Sequence, residues 1–202
     1  MSTATKTKME QSSERREEIL AIAARLIAQR GYSATTVRDI AEEAGILSGS
    51  LYHHFASKEA MLQEILHGFM DRLLTRYDEI AASVTDPREG IDALIECAFE
   101  TIDREQSAVG LYQNEAAFLS TQPGFEFLVA ESERMEKIWI AQLRAGQEAG
   151  VFRTDGDASV TYRFIRDAVW STVKWYRPGG RHTVASMTTQ FLALLHNGLD
   201  AA

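Results

Sequence analysis

Apolar residues recur at helical spacing along most of the chain, and no segment alternates apolar and polar residues as a strand does. Glycine, proline and capping residues divide this pattern into separate helices. The longer helices are predicted at residues 14–30, 58–84, 87–106, 108–120, 124–149, 157–177 and 183–197. Two short helices between residues 34 and 57 complete an all-α fold of about nine helices.

The same pattern divides the chain into three parts. Residues 1–13 are polar and are predicted to form a disordered N-terminal arm. Residues 14–57 contain three predicted helices and form a small head. The long helix that begins at residue 58 connects this head to a larger helical body, which occupies residues 58–202.

The two short helices carry the most informative residues of the chain. Thr36 is an N-cap residue type before VRDIAEEA, Gly45 permits a sharp turn, and Ser57 caps the next helix. A pair of short helices joined by a glycine turn, with hydrogen-bonding side chains on the second helix, is typical of DNA-binding helix-turn-helix domains. The side chains predicted to face outwards are those of Ser48, Ser50, Tyr52, His53 and His54.

Residues of the second short helix are predicted to read the bases. Ser48, Gly49 and Ser50 stand where this helix enters the major groove, because serine exchanges hydrogen bonds with any base and Gly49 permits close backbone approach. Tyr52 and His53 are expected to meet phosphate or a thymine methyl group.

Other residues of the head are expected to position it. Thr36 is predicted to bind phosphate through its hydroxyl group, and Lys58 is predicted to clamp a phosphate at a helix N-terminus. His54 and Phe55 are expected to pack the head against the long helix.

The predicted helix over residues 157–177 is apolar on two sides. Its first apolar face contains Ala158, Tyr162, Ile165, Val169, Val173 and Tyr176. Its second face contains Phe164, Ala168, Thr172 and Trp175, and the final helix adds Phe191 and Leu195. Both helices either pack within one monomer or form a four-helix homodimer interface. We favour the dimer because a palindrome-reading head needs two copies.

A third stripe of this helix is cationic and has an indole in its middle. It comprises Arg163, Arg166, Trp170, Lys174 and Arg177. One interpretation is a solvated face. The other is that Arg166 and Trp170, one turn apart, line a pocket for an anionic ligand with a planar or apolar part. Residue spacing alone does not separate these interpretations.

Charge and composition limit the class of protein. The net charge is −8, but the first 58 residues hold eight Lys/Arg and seven Asp/Glu, whereas the rest hold 13 and 22. The acidic excess outside the head favours a sequence-specific DNA footprint over a nonspecific nucleic-acid coat.

The sequence shows no membrane or export signal. No apolar run approaches the ~18 residues of a membrane span, and the start lacks the apolar segment of a signal peptide. The single Cys97 fits a reducing compartment. We expect a cytoplasmic protein without a membrane partner.

Two other classes of protein remain as alternatives. For an enzyme, Cys97 lies in the apolar helical context IECAFE, which is typical of an inert buried thiol. Glu64 and His67 have the spacing of half a di-iron site, but the chain has no second copy. Neither a catalytic site nor a metal site is therefore predicted. The second alternative is a helical carrier or interaction protein that does not bind DNA.

The head resembles a known family. In GILSGSLYHHFASKE, residues 45–59, the glycines, Leu51-Tyr52, His54-Phe55 and Ser57-Lys58-Glu59 match the G-x-x-x-G-x-L-Y-x-H-F-x-S-K-E motif of TetR-type one-component repressors. This resemblance implies a ligand-binding and dimerisation body behind a DNA-binding head. One position departs from the motif, because Leu47 replaces the usual Ser or Thr cap of the recognition helix. We expect Ser48 to act as the substitute cap.

A second motif narrows this resemblance. YRFIRDAVWSTVKWYRPGG, residues 162–180, looks like that of actinobacterial TetR-type repressors of late steroid-ring (cholesterol C/D-ring) catabolism. The resemblance implies a homodimer that binds palindromic double-stranded operator DNA. It also implies an acyl-CoA inducer, the thioester of a hexahydroindanedione propionate, and no other cofactor.

The resemblance also assigns individual contacts. Arg38 matches a position that reaches a guanine, whereas Arg166 and Trp170 match ligand contacts. The two-ring steroid part of this thioester, its ring remnant, is apolar and needs an apolar pocket wall. The candidates for this wall are Phe99, Tyr112, Phe118, Leu119, Met135 and Trp139. Each candidate also suits an ordinary core position.

Overall fold

A computed structural model describes the backbone of residues 3–199 and the side chains of residues 12–196. This part of the chain contains nine α-helices and one 3₁₀ turn, over Ser171–Lys174. The helices are α1 (Thr3–Arg30), α2 (Val37–Glu43), α3 (Ser48–Leu51), α4 (Lys58–Ser83), α5 (Pro87–Arg104), α6 (Gln106–Leu119), α7 (Phe127–Glu148), α8 (Ala158–Trp170) and α9 (Val184–Leu199). The predicted all-α fold is confirmed.

Two predicted boundaries differ from the structure. The predicted disordered arm, residues 1–13, is helical from Thr3 onwards, while Met1 and Ser2 lie outside the described residues. The predicted helix over residues 157–177 ends at Trp170. There the Ser171 hydroxyl donates to Ala168 O (3.1 Å) and the Thr172 hydroxyl donates to Val169 O (2.7 Å). Side chains that bond to nearby carbonyls compete with the α-helical pattern, which tightens here into a 3₁₀ turn.

The head is a three-helix unit with its own apolar centre. Fully buried residues from all three helices meet there, including Ile27 of α1, Ile40 of α2 and Leu51 of α3. Thr35 is also fully buried, and its hydroxyl donates to Gly31 O over 2.9 Å. This bond satisfies a polar group that burial otherwise makes costly.

Helix α4 connects the head to the body. It begins at Lys58 behind the N-cap Ser57, whose hydroxyl accepts from Ala60 N (3.1 Å). One side of α4 contacts α1, and the rest packs against α5, α6 and α7. Its buried residues are Met61, Leu62, Ile65, Leu66, Phe69, Met70, Leu73, Leu74 and Tyr77. Because these side chains run from the head to the centre of the body, a displacement in the body acts on a rigid element that reaches the head.

None of the described helices combines the length and the apolar composition that crossing a membrane requires.

Candidate DNA-binding surface and ligand cavity

The turn between α2 and α3 fixes the direction of the recognition helix. Gly45 adopts φ 66°, and Ile46 N donates to Ala41 O over 2.9 Å, which closes the end of α2. Leu47 is extended and its carbonyl accepts from Ser50 N (2.9 Å) and Leu51 N (3.3 Å). No side chain caps α3, so the expectation that Ser48 replaces the missing cap is wrong. Ser48 is the first helical residue, and its φ and ψ are therefore unsuited to capping.

The recognition helix is anchored on one side and open on the other. Leu51 is fully buried and Phe55 is 3% exposed, whereas Tyr52 is 57% exposed. Gly49 and His53 are exposed, and the predicted base-reading residues Ser48 and Ser50 are half-buried. The predicted reading surface therefore faces away from the core of the head.

Two further predicted DNA contacts, Thr36 and Arg38, lie at the start of α2 and are exposed. Arg38 projects from the first turn. Thr36 forms a capping box, in which its hydroxyl accepts from Asp39 N (3.1 Å) and donates to Asp39 Oδ2 (2.5 Å). Hydrogen bonds from Thr36 lower the pKa of Asp39. Because the Thr36 hydroxyl proton is already donated to Asp39, a phosphate contact through this group requires the pair to separate.

The Lys58 side chain binds backbone carbonyls of the head, whereas the sequence predicts that it contacts phosphate. Its ammonium group donates to Tyr32 O (2.6 Å) and Thr35 O (2.7 Å) and lies 3.9 Å from the centre of the Tyr32 ring. Burial lowers the pKa of Lys58. Tyr32 in turn donates to Glu59, and burial together with this bond raises the pKa of Tyr32 to about 12. Lys58 thus joins the segment between α1 and α2 to the start of α4, and this geometry does not support a phosphate clamp.

The body contains a cavity of about 430 Å³ between α4, α6, α7 and α8. Five of the eight ligand contacts predicted from sequence line it, namely Arg166, Trp170, Tyr112, Met135 and Trp139. The remaining wall is largely aromatic and aliphatic, including Phe69, Leu73, Tyr77, Leu128 and Tyr162. This lining suits a flat apolar ligand.

Three of the candidate lining residues lie elsewhere. Phe118 is on the side of α6 that faces the head, where its ring centre lies 6.2 Å from that of Tyr32. Phe99 packs against Phe191, and Leu119 belongs to the core. Apolar character alone could not reveal which side of α5 or α6 each residue occupies.

Helix α4 contributes a wall of the cavity that was not predicted from sequence. Phe69, Leu73 and Tyr77 recur every four residues and present one face of the long helix to the cavity. Tyr162, on the first apolar face of α8, also lines the cavity. The recurrence of two aromatic residues, Phe69 and Tyr77, on one side of α4 is the sequence pattern that could have indicated this wall of the cavity.

Arg166 is the single Lys or Arg among the lining residues. Its Nε donates to Asp167 Oδ1 over 2.8 Å, and its guanidinium lies 5.5 Å from the centre of the Tyr162 ring. The bond to Asp167 raises the pKa of Arg166. Glu133, Glu136 and Asp167 also border the cavity. The cavity therefore offers one fixed cation beside several carboxylates.

A second apolar surface covers α8 and α9, where Phe164 is 74% exposed and Leu194 is 73% exposed. Trp175, also predicted for this surface, is 56% exposed but lies beyond the end of α8, with its ring 6.3 Å from that of His182. Ala168 is exposed too, and Phe191 and Leu195 are half-buried at a cleft of about 550 Å³ beside them. Packing within one monomer, the alternative considered from sequence, leaves these side chains uncovered.

Models of two protein families match the chain. The model of bacterial regulatory proteins of the tetR family matches residues 19–65, and the tetracyclin repressor-like C-terminal domain matches residues 84–199. The chain belongs to the TetR family. The predicted family resemblance is confirmed.

Individual relatives agree with this assignment. The chain is 47% identical to the HTH-type transcriptional repressor KstR2 of Mycobacterium tuberculosis over 189 residues, which is 94% of each chain. It is 49% identical to KstR2 of Rhodococcus jostii over 185 residues, covering 92% of this chain and 91% of the relative. This TetR-family chain is thus a transcriptional repressor similar to KstR2, and the matches indicate a regulator rather than an enzyme.

Two solved structures are similar as well. The ketosteroid transcriptional regulator KstR2 of Mycobacterium tuberculosis superposes with a TM-score of 0.90 at 47% identity, covering 93% of this chain and 96% of that one. AibR, solved with isovaleryl coenzyme A and operator DNA, superposes with a TM-score of 0.79 at 25% identity, covering 89% of this chain and 97% of AibR.

Proposed function

We propose that this TetR-family repressor binds palindromic operator DNA as a homodimer and is released by an acyl-CoA. The proposed inducer is a steroid-ring-derived thioester of the hexahydroindanedione propionyl-CoA type, and the controlled genes are those of steroid catabolism. The observation that carries this proposal is an aromatic cavity in the body, with Arg166 and Trp170 on its wall.

The cavity fits the ring remnant of such a thioester. Trp170 is 8% exposed and its indole meets Phe69 edge to face, with ring centres 6.5 Å apart. Trp139 meets Tyr77 in the same way at 5.8 Å. Aromatic walls held by one another keep their shape without ligand, which reduces the entropy lost on binding.

Charge sets the orientation of the ligand. Arg166 supplies a cation for a thioester or ketone oxygen, but Glu133, Glu136 and Asp167 repel phosphate. The acyl end therefore occupies the cavity, and the phosphates of coenzyme A remain outside it. The complex of AibR with isovaleryl coenzyme A and operator DNA supports this ligand class.

A homodimer follows from the exposed surface of α8 and α9. Large apolar patches on a protein surface mark interaction sites. Pairing this surface with its own copy covers Phe164 and Leu194 and brings two heads together. A palindrome requires heads about 34 Å apart, one turn of DNA.

Release follows from the position of α4. Phe69, Leu73 and Tyr77 of this helix touch the cavity, and Lys58 at its N-terminus holds the head. A ligand that binds more tightly when α4 is displaced favours a head spacing that no longer matches the operator. Only such a difference in affinity between the two states shifts the equilibrium.

A gel-shift experiment tests the proposal. The DNA is the region upstream of the protein's own gene, and the added compounds are hexahydroindanedione propionyl-CoA, isovaleryl-CoA and free coenzyme A. We expect the first compound to release the DNA at the lowest concentration. Arg166→Gln should raise the required concentration at least about ten-fold, equivalent to ~1.4 kcal/mol. Arg163→Gln, which changes an exposed cation outside the cavity, is the matched control.

The outcomes separate the competing functions. DNA binding that no thioester reverses would remove the acyl-CoA part of the proposal and leave a regulator of another ligand. The rim carboxylates Glu133, Glu136 and Asp167 favour that second candidate, a TetR-type regulator of a hydrophobic ligand without phosphates. Thioester binding without any DNA binding would instead indicate a carrier.

A further inference from the structure

The backbone of Leu47 is held by hydrogen bonds, whereas its side chain is exposed. Among the large hydrophobic residues that are exposed in residues 12–196, it has the greatest exposed fraction, 79%. Its backbone is extended, with φ −71° and ψ 142°, and its carbonyl accepts two hydrogen bonds from the first turn of α3. The backbone of Leu47 thus supports the first turn of α3, while its side chain is largely exposed.

Leucine at this position leaves the first turn of α3 without a side-chain cap. A Ser or Thr at an N-cap accepts a hydrogen bond from the first helical turn, and leucine cannot do so. No side chain supplies that bond here. Leucine at this position therefore supplies no cap and gains little burial, so its side chain is available for contact with another molecule.

The position of Leu47 indicates what that molecule offers. It immediately precedes Ser48 and Gly49 at the end of the helix that enters the major groove. Along that groove, the thymine 5-methyl group is the apolar feature of the base edges. The proposed dimer surface lies on α8 and α9, so Leu47 is not part of it.

We infer that Leu47 reads a thymine in each operator half-site by packing against its 5-methyl group. This inference rests on the proposed binding of the α3 helix to operator DNA. Ser48 and Ser50 exchange hydrogen bonds with several bases, whereas an aliphatic side chain distinguishes only the presence of the methyl group. Leu47 consequently restricts the operator at one position per half-site.

The experiment uses a duplex that the wild-type protein selects from a random-sequence pool. Each thymine of this duplex is replaced in turn by uracil, which removes only the methyl group. We expect one symmetric pair of positions at which uracil weakens wild-type binding about four-fold per half-site, the effect expected for one buried methyl group. At the same positions, 5-methylcytosine should bind more tightly than cytosine.

Two variants assign the effect to Leu47. Leu47→Ser introduces a capping side chain, so it folds at least as well as the wild type, and Leu47→Ala removes the contact without adding a cap. Both should bind the thymine and uracil duplexes equally. Circular dichroism and thermal melting check that the two variants are folded.

The results that would contradict the Leu47 inference differ from the result that would contradict DNA binding itself. Wild-type binding that is insensitive to uracil at every thymine would overturn the inference, as would a Leu47→Ser variant that still discriminates. If the wild-type protein selects no duplex at all, the DNA-binding function itself fails and the inference fails with it.

Discussion

The backbone N–H of Tyr32 donates to Glu115 Oε1 over 2.9 Å, which fastens the turn after α1 to α6. On the same side of α6, Phe118 packs near the Tyr32 ring. On its other side, Tyr112, Ala116 and Ala117 line the cavity. Helix α6 therefore touches both the cavity and the head, as α4 does.

Replacing Glu115 should weaken this connection. Glu115→Ala leaves the half-buried Tyr32 N–H without its acceptor, which should lower the free energy of unfolding by about 1–2 kcal/mol. It should also reduce the effect of ligand on operator affinity, because α6 then holds the head less firmly. Urea unfolding at fixed protein concentration and ligand-dependent gel shifts measure the two effects. Glu148→Ala, on an exposed turn of α7, is the control.

If Glu115→Ala unfolds at the wild-type urea concentration and releases DNA at the wild-type ligand concentration, α6 does not connect the two sites. Loss of stability with an unchanged ligand response would leave transmission to α4 alone.

Gly49 and Gly45 should respond to alanine in opposite ways. A Cβ added at either residue meets nothing within 4 Å, but only Gly45 has a positive φ, 66°. Gly49→Ala should therefore stabilise the head by about 1 kcal/mol through helix propensity, and Gly45→Ala should destabilise it by about 1 kcal/mol through backbone strain. Thermal melting measures both changes.

The fold itself does not explain a glycine at position 49, because the surrounding space is open. Close approach of DNA does, so Gly49→Ala should lose operator affinity about ten-fold, or ~1.4 kcal/mol, despite its added stability. Unchanged affinity would show that DNA does not approach this position closely.

Local signals predicted most helix boundaries in this chain. Ser57, Asp86 and Asp157 each cap a helix with a side-chain hydrogen bond to a nearby backbone N–H, and such bonds depend on neighbouring residues alone. The one-turn spacing of Arg166 and Trp170 likewise predicts that they share one side of one helix, but their assignment as ligand contacts comes from the family resemblance. The caps and the helix faces both depend on short-range geometry.

Contacts between residues that are far apart in the chain could not be predicted from the sequence. Lys58 turns inwards because the carbonyls of Tyr32 and Thr35 lie beside it, and these residues are more than twenty positions away. Phe118 was assigned to the ligand because it is aromatic, but only the packing of α6 against the head determines which way it points.

Lys58 offers a test of its structural role against its predicted phosphate contact. Lys58→Met should lower thermal stability, because two half-buried carbonyls lose a charged donor. The slope of log affinity against log salt concentration should stay unchanged. A phosphate clamp in each subunit would instead reduce that slope by about two, since each contact contributes roughly 0.9. Titrations of operator binding at several salt concentrations distinguish the roles.

Glu131 should make stability depend on pH. Burial raises the pKa of Glu131 above its ordinary value of 4.5, and its Oε2 has no hydrogen-bond partner among the described residues. The native state thus holds this proton more tightly than the unfolded state does. Its contribution is fully present below the unfolded pKa and is lost as pH rises through the folded pKa. His67, whose Nδ1 lies 4.0 Å from Oε1, offsets part of the loss when protonated.

Glu131→Gln removes this ionisation. The variant should be more stable than the wild type at pH 7, and the difference should disappear below about pH 4.5, the pKa of the unfolded carboxyl group. Urea unfolding across this range provides the measurement. A variant that is less stable at pH 7 would mean that the charged carboxylate has a stabilising partner.

Cys97 should be unreactive while the protein is folded. It is 2% exposed, and burial raises the pKa of its thiol from 9.0 to about 11. The thiolate is the reactive form, so the shift alone reduces its population near pH 8 by about 100-fold. Labelling with a disulfide reagent should therefore be at least about 100-fold slower for the native protein than for the urea-unfolded chain. Rapid labelling of the native state would place an ionised thiol at the surface of α5 and reopen the case for a cysteine nucleophile, which the burial of Cys97 argues against.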